Sequence, residues 1–199
     1  MPDAIPVVVL AGGLGSRMGG CKPQRRLAGE SLLGRAVDTA RQWSPAVRVA
    51  VRDRSQASGV EAELIFDDPT IPGPLAGVAA ALAWAGGEGA EHVLTIPCDM
   101  PFLPPDLLFR LDEVMGPAHG AAVAASGMRL HPVCTLWRTP IAPLLVDQVR
   151  LGRLSLMALT ARAGRVVADW PTDPVDPFLN LNSPEDLAGA RALLAESRP

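Results

Sequence analysis

Residues 7 to 23 read VVVLAGGLGSRMGGCKP, and they contain the residue types that grip a polyphosphate. A short apolar run, Val7 to Leu10, breaks into five glycines: Gly12, Gly13, Gly15, Gly19 and Gly20. A glycine-rich loop leaving a buried strand presents backbone N–H groups to a bound anion. Arg17 within the loop and Lys22 at its close add cationic donors for phosphate oxygens. Lys22 is the only lysine in the chain, beside seventeen arginines, so a merely solvated cation here would have been arginine as everywhere else. Two familiar phosphate loops do not fit. The Walker pattern needs Gly-Lys followed by Ser or Thr, whereas Cys21 separates Gly20 from Lys22 and Pro23 follows. The G-x-G-x-x-G fingerprint fails because Met18 stands at its third glycine.

Two carboxylates extend the pattern. Asp99 closes the apolar stretch TIPCDMPF. A carboxylate at the end of a buried strand is expensive to leave unpaired and should hold a cation or hydrogen-bond donors; a turn before Pro101 would also explain it. Phosphoryl chemistry draws on Mg²⁺, held by one or two carboxylates together with substrate phosphates. Asp67 lies in FDDPTIPGPLAG, where Asp-Asp-Pro is also a good turn sequence. The small residues of Gly73-Pro74-Leu75-Ala76-Gly77 let a flat ring approach the start of a helix, although close helix packing explains them equally well. Later come His131-Pro132 and the pair Asn180 and Asn182, which alternate on an extended stretch and so share a face. The asparagines can bond a polar heterocycle or offer a side-chain oxygen to a metal, or serve as turn residues.

Strand and helix signals alternate around these residues. Helices are predicted over Ser31 to Trp43, Pro74 to Ala85, Pro105 to Met115, Ile141 to Leu151 and Ser155 to Ala163. Strands are predicted at 7–10, 47–51, 63–66, 93–96, 121–125, 133–137 and 165–168. Ser183, Pro184 and Asp186 form a capping box that starts a last helix. The alternation predicts a single α/β domain, layered and Rossmann-like, with a mostly parallel central sheet. Ligands of such sheets bind beyond the carboxyl ends of the strands, and the glycine loop, Asp67 and Asp99 all fall at predicted strand ends.

Composition narrows the classes. At 199 residues with 48% hydrophobic content, one core is well supplied. A net charge of −3 argues against a nucleic-acid surface, so a phosphate-rich ligand needs local positive charge, such as the cluster Arg17, Lys22, Arg25 and Arg26. Cys21, Cys98 and Cys134 are scattered and odd in number, which predicts a reducing cytoplasm and no zinc site. No apolar run approaches the ~20 residues that span a bilayer.

Five motifs in order, LAGGLGSRMGGCK, FDD with PGPLAG, IPCDMPF, LHPV and FLNLNSPEDL, resemble molybdenum cofactor guanylyltransferase (the MobA family) from end to end. The resemblance implies a nucleotide-diphospho-sugar-transferase-like fold and Mg²⁺-dependent transfer of GMP from GTP to molybdopterin, with release of pyrophosphate. It implies GTP contacts at Leu10, Ala11, Gly12, Gly13, Lys22, Asp67, Gly73, Pro74, Leu75 and Asp99, Mg²⁺ on Asp99, and catalysis by Arg17, Lys22 and Asp99. His131, Asn180 and Asn182 are assigned to the pterin side, the N-terminal part of the domain to GTP and the C-terminal part mainly to the pterin. The partners implied are GTP, molybdopterin and client molybdoenzymes or other cofactor-biosynthesis proteins, with no nucleic acid and no membrane. Three departures stand out: Cys21 where an aspartate is common, the loss of a polar asparagine near Val51, and few basic residues in Gly152-Arg153-Leu154-Ser155. A cytidylyltransferase on the same pterin, a transferase acting on a sugar or alcohol phosphate, and a non-catalytic nucleotide carrier remain as alternatives.

Overall fold

The structure, a computed structural model, describes residues 4–13 and 22–196, with Lys22 and Glu196 as backbone only. The first strand is β1 (Val7–Leu10). A two-residue-per-strand hairpin, β2 (Arg26–Leu27) and β3 (Glu30–Ser31), leads into α1 (Leu32–Trp43). Then come β4 (Val47–Val51), β5 (Glu63–Phe66), α2 (Leu75–Gly87) and β6 (His92–Pro97). The second half supplies α3 (Leu107–Val114), β7 (Ala121–Ser126), β8 (Arg129–Arg138), α4 (Ala142–Arg150), α5 (Leu156–Arg162), β9 (Arg165–Trp170) and α6 (Pro184–Glu196).

Among the described residues, seven strands form one sheet in the order β5-β4-β1-β6-β8-β7-β9. All run parallel except β8, which is antiparallel to both β6 and β7. The run of valines in β1 is apolar on both faces because both faces are covered. Val7 and Val9 pack with α1 and α3, while Val8 packs with α2 on the opposite side. Helix α1 presents Leu32, Leu33, Ala36, Val37 and Ala40 inward, and the Ser31 hydroxyl caps it by accepting from the Gly34 amide at 3.0 Å. Helix α2 is built of Ala, Gly, Val and Leu apart from Trp84 and buries seven of its residues, all Ala, Gly, Val or Leu, so small side chains bring it close to the sheet. Helix α6 joins Leu27, Leu32 and Leu181 in a smaller cluster. Its capping box forms as predicted: Asp186 N donates to Ser183 Oγ at 3.1 Å, and Ser183 N donates to Asp186 Oδ2 at 2.9 Å. No described helix is long and apolar enough to cross a membrane.

Two features were not foreseen. The β2–β3 hairpin turns through Ala28 (φ 52°) and Gly29 (φ 91°), a left-handed pair that favours Asn-Gly in sequence and here is Ala-Gly. Strand β8 begins at Arg129, four residues before the predicted start. Its register against β7 jumps from Val123↔Thr135 to Ala124↔His131, so residues 132–134 bulge out. Pro132 has no N–H for a ladder, and the bulge accommodates it. The Thr135 hydroxyl donates to the Pro132 carbonyl at 3.0 Å and pins the bulge.

Candidate active site

Strands β5, β4, β1 and β6 lie side by side and parallel, so their carboxyl ends open on one edge of the sheet. The chain first steps outward from β1 to β4 and β5, then returns through α2 to β6 on the other side of β1. That reversal makes β1 the switch point where open α/β sheets bind ligands. A cleft of about 550 Å³ lies there. Leu10, Gly12 and Gly13 enter it from β1, Asp67 from β5, Gly73 and Pro74 from the start of α2, and Asp99 from β6. Asn180 joins them from the segment before α6.

Asp67 is the most constrained of these. Its side chain is 5% exposed, and burial raises its pKa above the ordinary aspartate value; the Arg52 charge opposes that shift, its Nε 3.9 Å from Oδ2. Oδ1 is buried and has no hydrogen-bond partner among the described residues. Two glycines make room for this carboxylate. A Cβ on Gly12 would fall 2.0 Å from Asp67 Oδ2, and one on Gly77 would fall 2.9 Å from Leu10 Cδ2 and 3.4 Å from Asp67 Oδ1. Gly73 has a different reason to be glycine: its φ of 72° turns the chain into α2.

Asp99 sits just past β6, whose end is tied to β1 by Cys98 N donating to Leu10 O at 3.3 Å. Leu181 N donates to Asp99 O at 2.9 Å and brings the neighbouring Asn180 to the same wall. Asn180 Oδ1 is buried with no hydrogen-bond partner among the described residues. The β8 bulge closes this side. Val133 lines the cleft, and Cys134 is fully buried with its thiol pushed well above its usual range by burial and by the Asp99 charge. Asp99 and Asn180 thus line the same cleft among glycines and prolines, and a carboxylate with an amide oxygen is a donor set that suits a hard divalent cation.

Other residues singled out from the sequence lie elsewhere. Ala11 and Leu75 are buried behind the cleft. His131 is 3% exposed and stacks on Phe178 with centroids 4.5 Å apart, and it does not line the cleft. Asn182 is exposed at the start of α6. Arg26 turns into its own hairpin and donates to the Gly29 carbonyl at 2.7 Å. Arg17 and Cys21 fall outside the described residues, as does the side chain of Lys22.

Sequence reasoning missed Arg52. Val51, near the lost asparagine, is fully buried, whereas Arg52 one residue later lines the cleft. The available signal was a charged residue directly after a predicted strand. Gln56 shapes the same turn: its Oε1 accepts from the Arg52 amide at 2.8 Å and the Asp53 amide at 3.3 Å.

Comparison with known proteins agrees with this geometry. Residues 7–167 match the family model described as a MobA-like NTP transferase domain. The molybdenum cofactor guanylyltransferase of Rhodopseudomonas palustris (strain BisB5) is 43% identical, over 98% of this chain and 97% of its own. That of Cereibacter sphaeroides (strain ATCC 17029) is 38% identical, over 94% and 95%. The crystal structure of molybdopterin-guanine dinucleotide biosynthesis protein A from Archaeoglobus fulgidus superposes with a TM-score of 0.78 at 25% identity, covering 96% of this chain and 100% of that one. With Gly12 and Gly13 after β1, two strand-end aspartates and this sheet order in place, the chain belongs to the MobA-like NTP transferase family.

Proposed function

We propose that this protein transfers GMP from GTP to the terminal phosphate of molybdopterin, forming the guanine dinucleotide cofactor and releasing pyrophosphate. The observation that carries the reading is the convergence of Gly12 and Gly13 after β1, Asp67, the Gly73-Pro74 turn and Asp99 on one cleft at the switch point. An oxygen of the pterin phosphate attacks the α-phosphorus of GTP, and the bond from that phosphorus to the bridging oxygen of the β-phosphate breaks. The attacking oxygen is already anionic, so the protein need supply neither a nucleophile nor a base. Its task is to position two anions and offset their repulsion, ~4 kcal/mol per pair of unit charges at 4 Å and an effective dielectric near 20. Amides of the glycine loop, Lys22 and Arg17 take the triphosphate, and the small residues at 72–77 receive the base. Asp67 Oδ1 accepts from donors of the nucleoside. Asp99 and Asn180 are the residues that would hold Mg²⁺, which supplies charge neutralisation at the phosphates. The C-terminal half of the domain faces the pterin. The buried thiols of Cys98 and Cys134 fit a reducing cytoplasm, where client molybdoenzymes would receive the product.

Pyrophosphate release measured with GTP, CTP, ATP and UTP, each with and without molybdopterin, tests the proposal. Release from GTP that requires molybdopterin is the expected result. Release from CTP instead would point to the cytidylyl branch, and release from none would mark a carrier.

Two variants probe the nucleoside end. Gly12→Ala is expected to displace the Asp67 carboxylate, because its methyl carbon would lie 2.0 Å from Oδ2. The expected result is a severalfold to tenfold rise in the Kd for GTP, read by calorimetry, at nearly unchanged kcat. Asp67→Asn should separate binding from stability. Burial raises this carboxyl's pKa in the folded state, so as pH rises through the window between the unfolded and folded values the native form holds the extra proton and loses stability. At pH 7 the whole cost is present. The amide removes it and leaves Arg52, 36% exposed, to solvent. The free protein is therefore expected to melt roughly 2–4 °C higher, the equivalent of about 1 kcal/mol in a domain of this size, while the stabilisation by added GTP shrinks.

A further inference from the structure

Asn180 reaches the cleft on a stretch without regular secondary structure, and such a stretch does not hold a side chain to a fixed place by itself. Its two ends are tied down. Downstream, Leu181 N donates to the Asp99 carbonyl at 2.9 Å. Upstream, Asp176 Oδ1 accepts from the Ser126 hydroxyl at 2.9 Å and from the Phe178 amide at 2.9 Å. The Ser126 oxygen in turn lies 2.8 Å from His131 Nε2. Serine has one hydroxyl proton, and it goes to Asp176, so His131 must donate through Nε2. The chain of donors runs from imidazole to hydroxyl to carboxylate, with Ser126 and His131 only 2% and 3% exposed. Phe178 is held flat against His131 and edge-on to Trp170 at 5.4 Å.

We propose that Asp176 is a positioning residue: by joining Ser126 at the end of β7 to the Phe178 amide, it fixes the stretch that presents Asn180 Oδ1 to the cation site beside Asp99. This rests on the reading of that site given above. His131 then serves the reaction from inside the sheet, through Ser126 and Asp176, without touching substrate.

The test compares Asp176→Ala, Asp176→Asn, Asn180→Ala and the double variant Asp176→Ala/Asn180→Ala in the full chain with GTP. Mn²⁺ affinity is read by electron paramagnetic resonance, and protection of the Leu181 amide by hydrogen exchange. Loss of an outer support of a metal ligand costs about tenfold or more in affinity. Asp176→Ala is expected to weaken Mn²⁺ by about that factor and to expose the Leu181 amide. Asp176→Asn keeps an acceptor oxygen and should stay within about twofold of the parent. The double variant should bind no more weakly than Asn180→Ala, because Asp176 acts through Asn180. If Asp176→Ala does not fold, Ser126→Ala replaces it; it cuts only the tie to β7 and should weaken Mn²⁺ by an intermediate factor. A folded Asp176→Ala protein with parental Mn²⁺ affinity overturns the proposal, as does a double variant whose loss is the product of the single losses. Parental affinity in Asn180→Ala also overturns it, while leaving guanylyl transfer standing. Failure of the parent protein to release pyrophosphate from GTP would strike the transferase reading instead, and the Mn²⁺ comparison would still decide the role of Asp176.

Discussion

Asp99→Ala is expected to lower guanylyl transfer by roughly a thousandfold or more, about 4 kcal/mol of barrier, in a protein that still folds. Folding should survive for one structural reason. The tie that Asp99 makes to the Asn180 stretch uses its backbone carbonyl, which accepts from Leu181 N and is untouched by the substitution. Activity should not survive under the proposed function, in which Asp99 is the carboxylate that would hold the cation and Asn180 alone offers a neutral oxygen. Steady-state pyrophosphate release across a MgCl₂ titration, alongside a circular-dichroism melt, checks both halves. Undiminished turnover by a folded variant would remove Asp99 from the chemistry. Asp99→Asn makes the comparison sharper, since it keeps the shape of the side chain and loses only its charge.

Lys22→Ala is expected to reduce transfer tenfold or more, at least about 1.4 kcal/mol of barrier. An ammonium beside a triphosphate in a partly enclosed site is worth several times its value in water, because the effective dielectric falls from about 80 to about 20. The backbone around Lys22 is anchored independently of its side chain. Lys22–Gln24 forms a short 3₁₀ turn, and Gln24 Nε2 donates to the Ser55 carbonyl at 2.7 Å in the turn after β4. The variant should therefore keep its melting temperature, and the loss should appear in kcat with GTP and molybdopterin saturating. Lys22→Arg adds a second reading. Full recovery would mean that charge alone is needed, whereas partial recovery would mean that a compact donor is required where the rest of the chain uses arginine.

Much of the nucleotide end was legible in the sequence because residue type itself carries the constraint there. A continuous valine run means a strand covered on both faces, and β1 is one. Glycines mark where a backbone must come close or turn left-handed. Gly12, packed on Asp67, and Gly73, with its φ of 72°, are one of each, although the sequence reading assigns both to ligand approach. The capping box at Ser183 reads locally because its hydrogen bonds span three residues. The residues that the resemblance assigns to the pterin side were harder to place. His131, Asn180 and Asn182 look alike as polar residues between apolar ones, yet only Asn180 lines the cleft.

Sequence alone determined the α/β class, the order of most elements, and the glycine loop and two aspartates at strand ends, since each follows from local periodicity or from a residue few others could replace. Tertiary structure alone decided that β8 runs against its neighbours, that a bulge at Pro132 carries Val133 into the cleft, that Arg52 faces Asp67, and that His131 is turned inward to Ser126. Those outcomes depend on which distant segments meet, as when β6 pairs with β8, or on which way one side chain points. Strand direction and side-chain pairing are settled by packing against distant neighbours, and no local pattern of residue types records them.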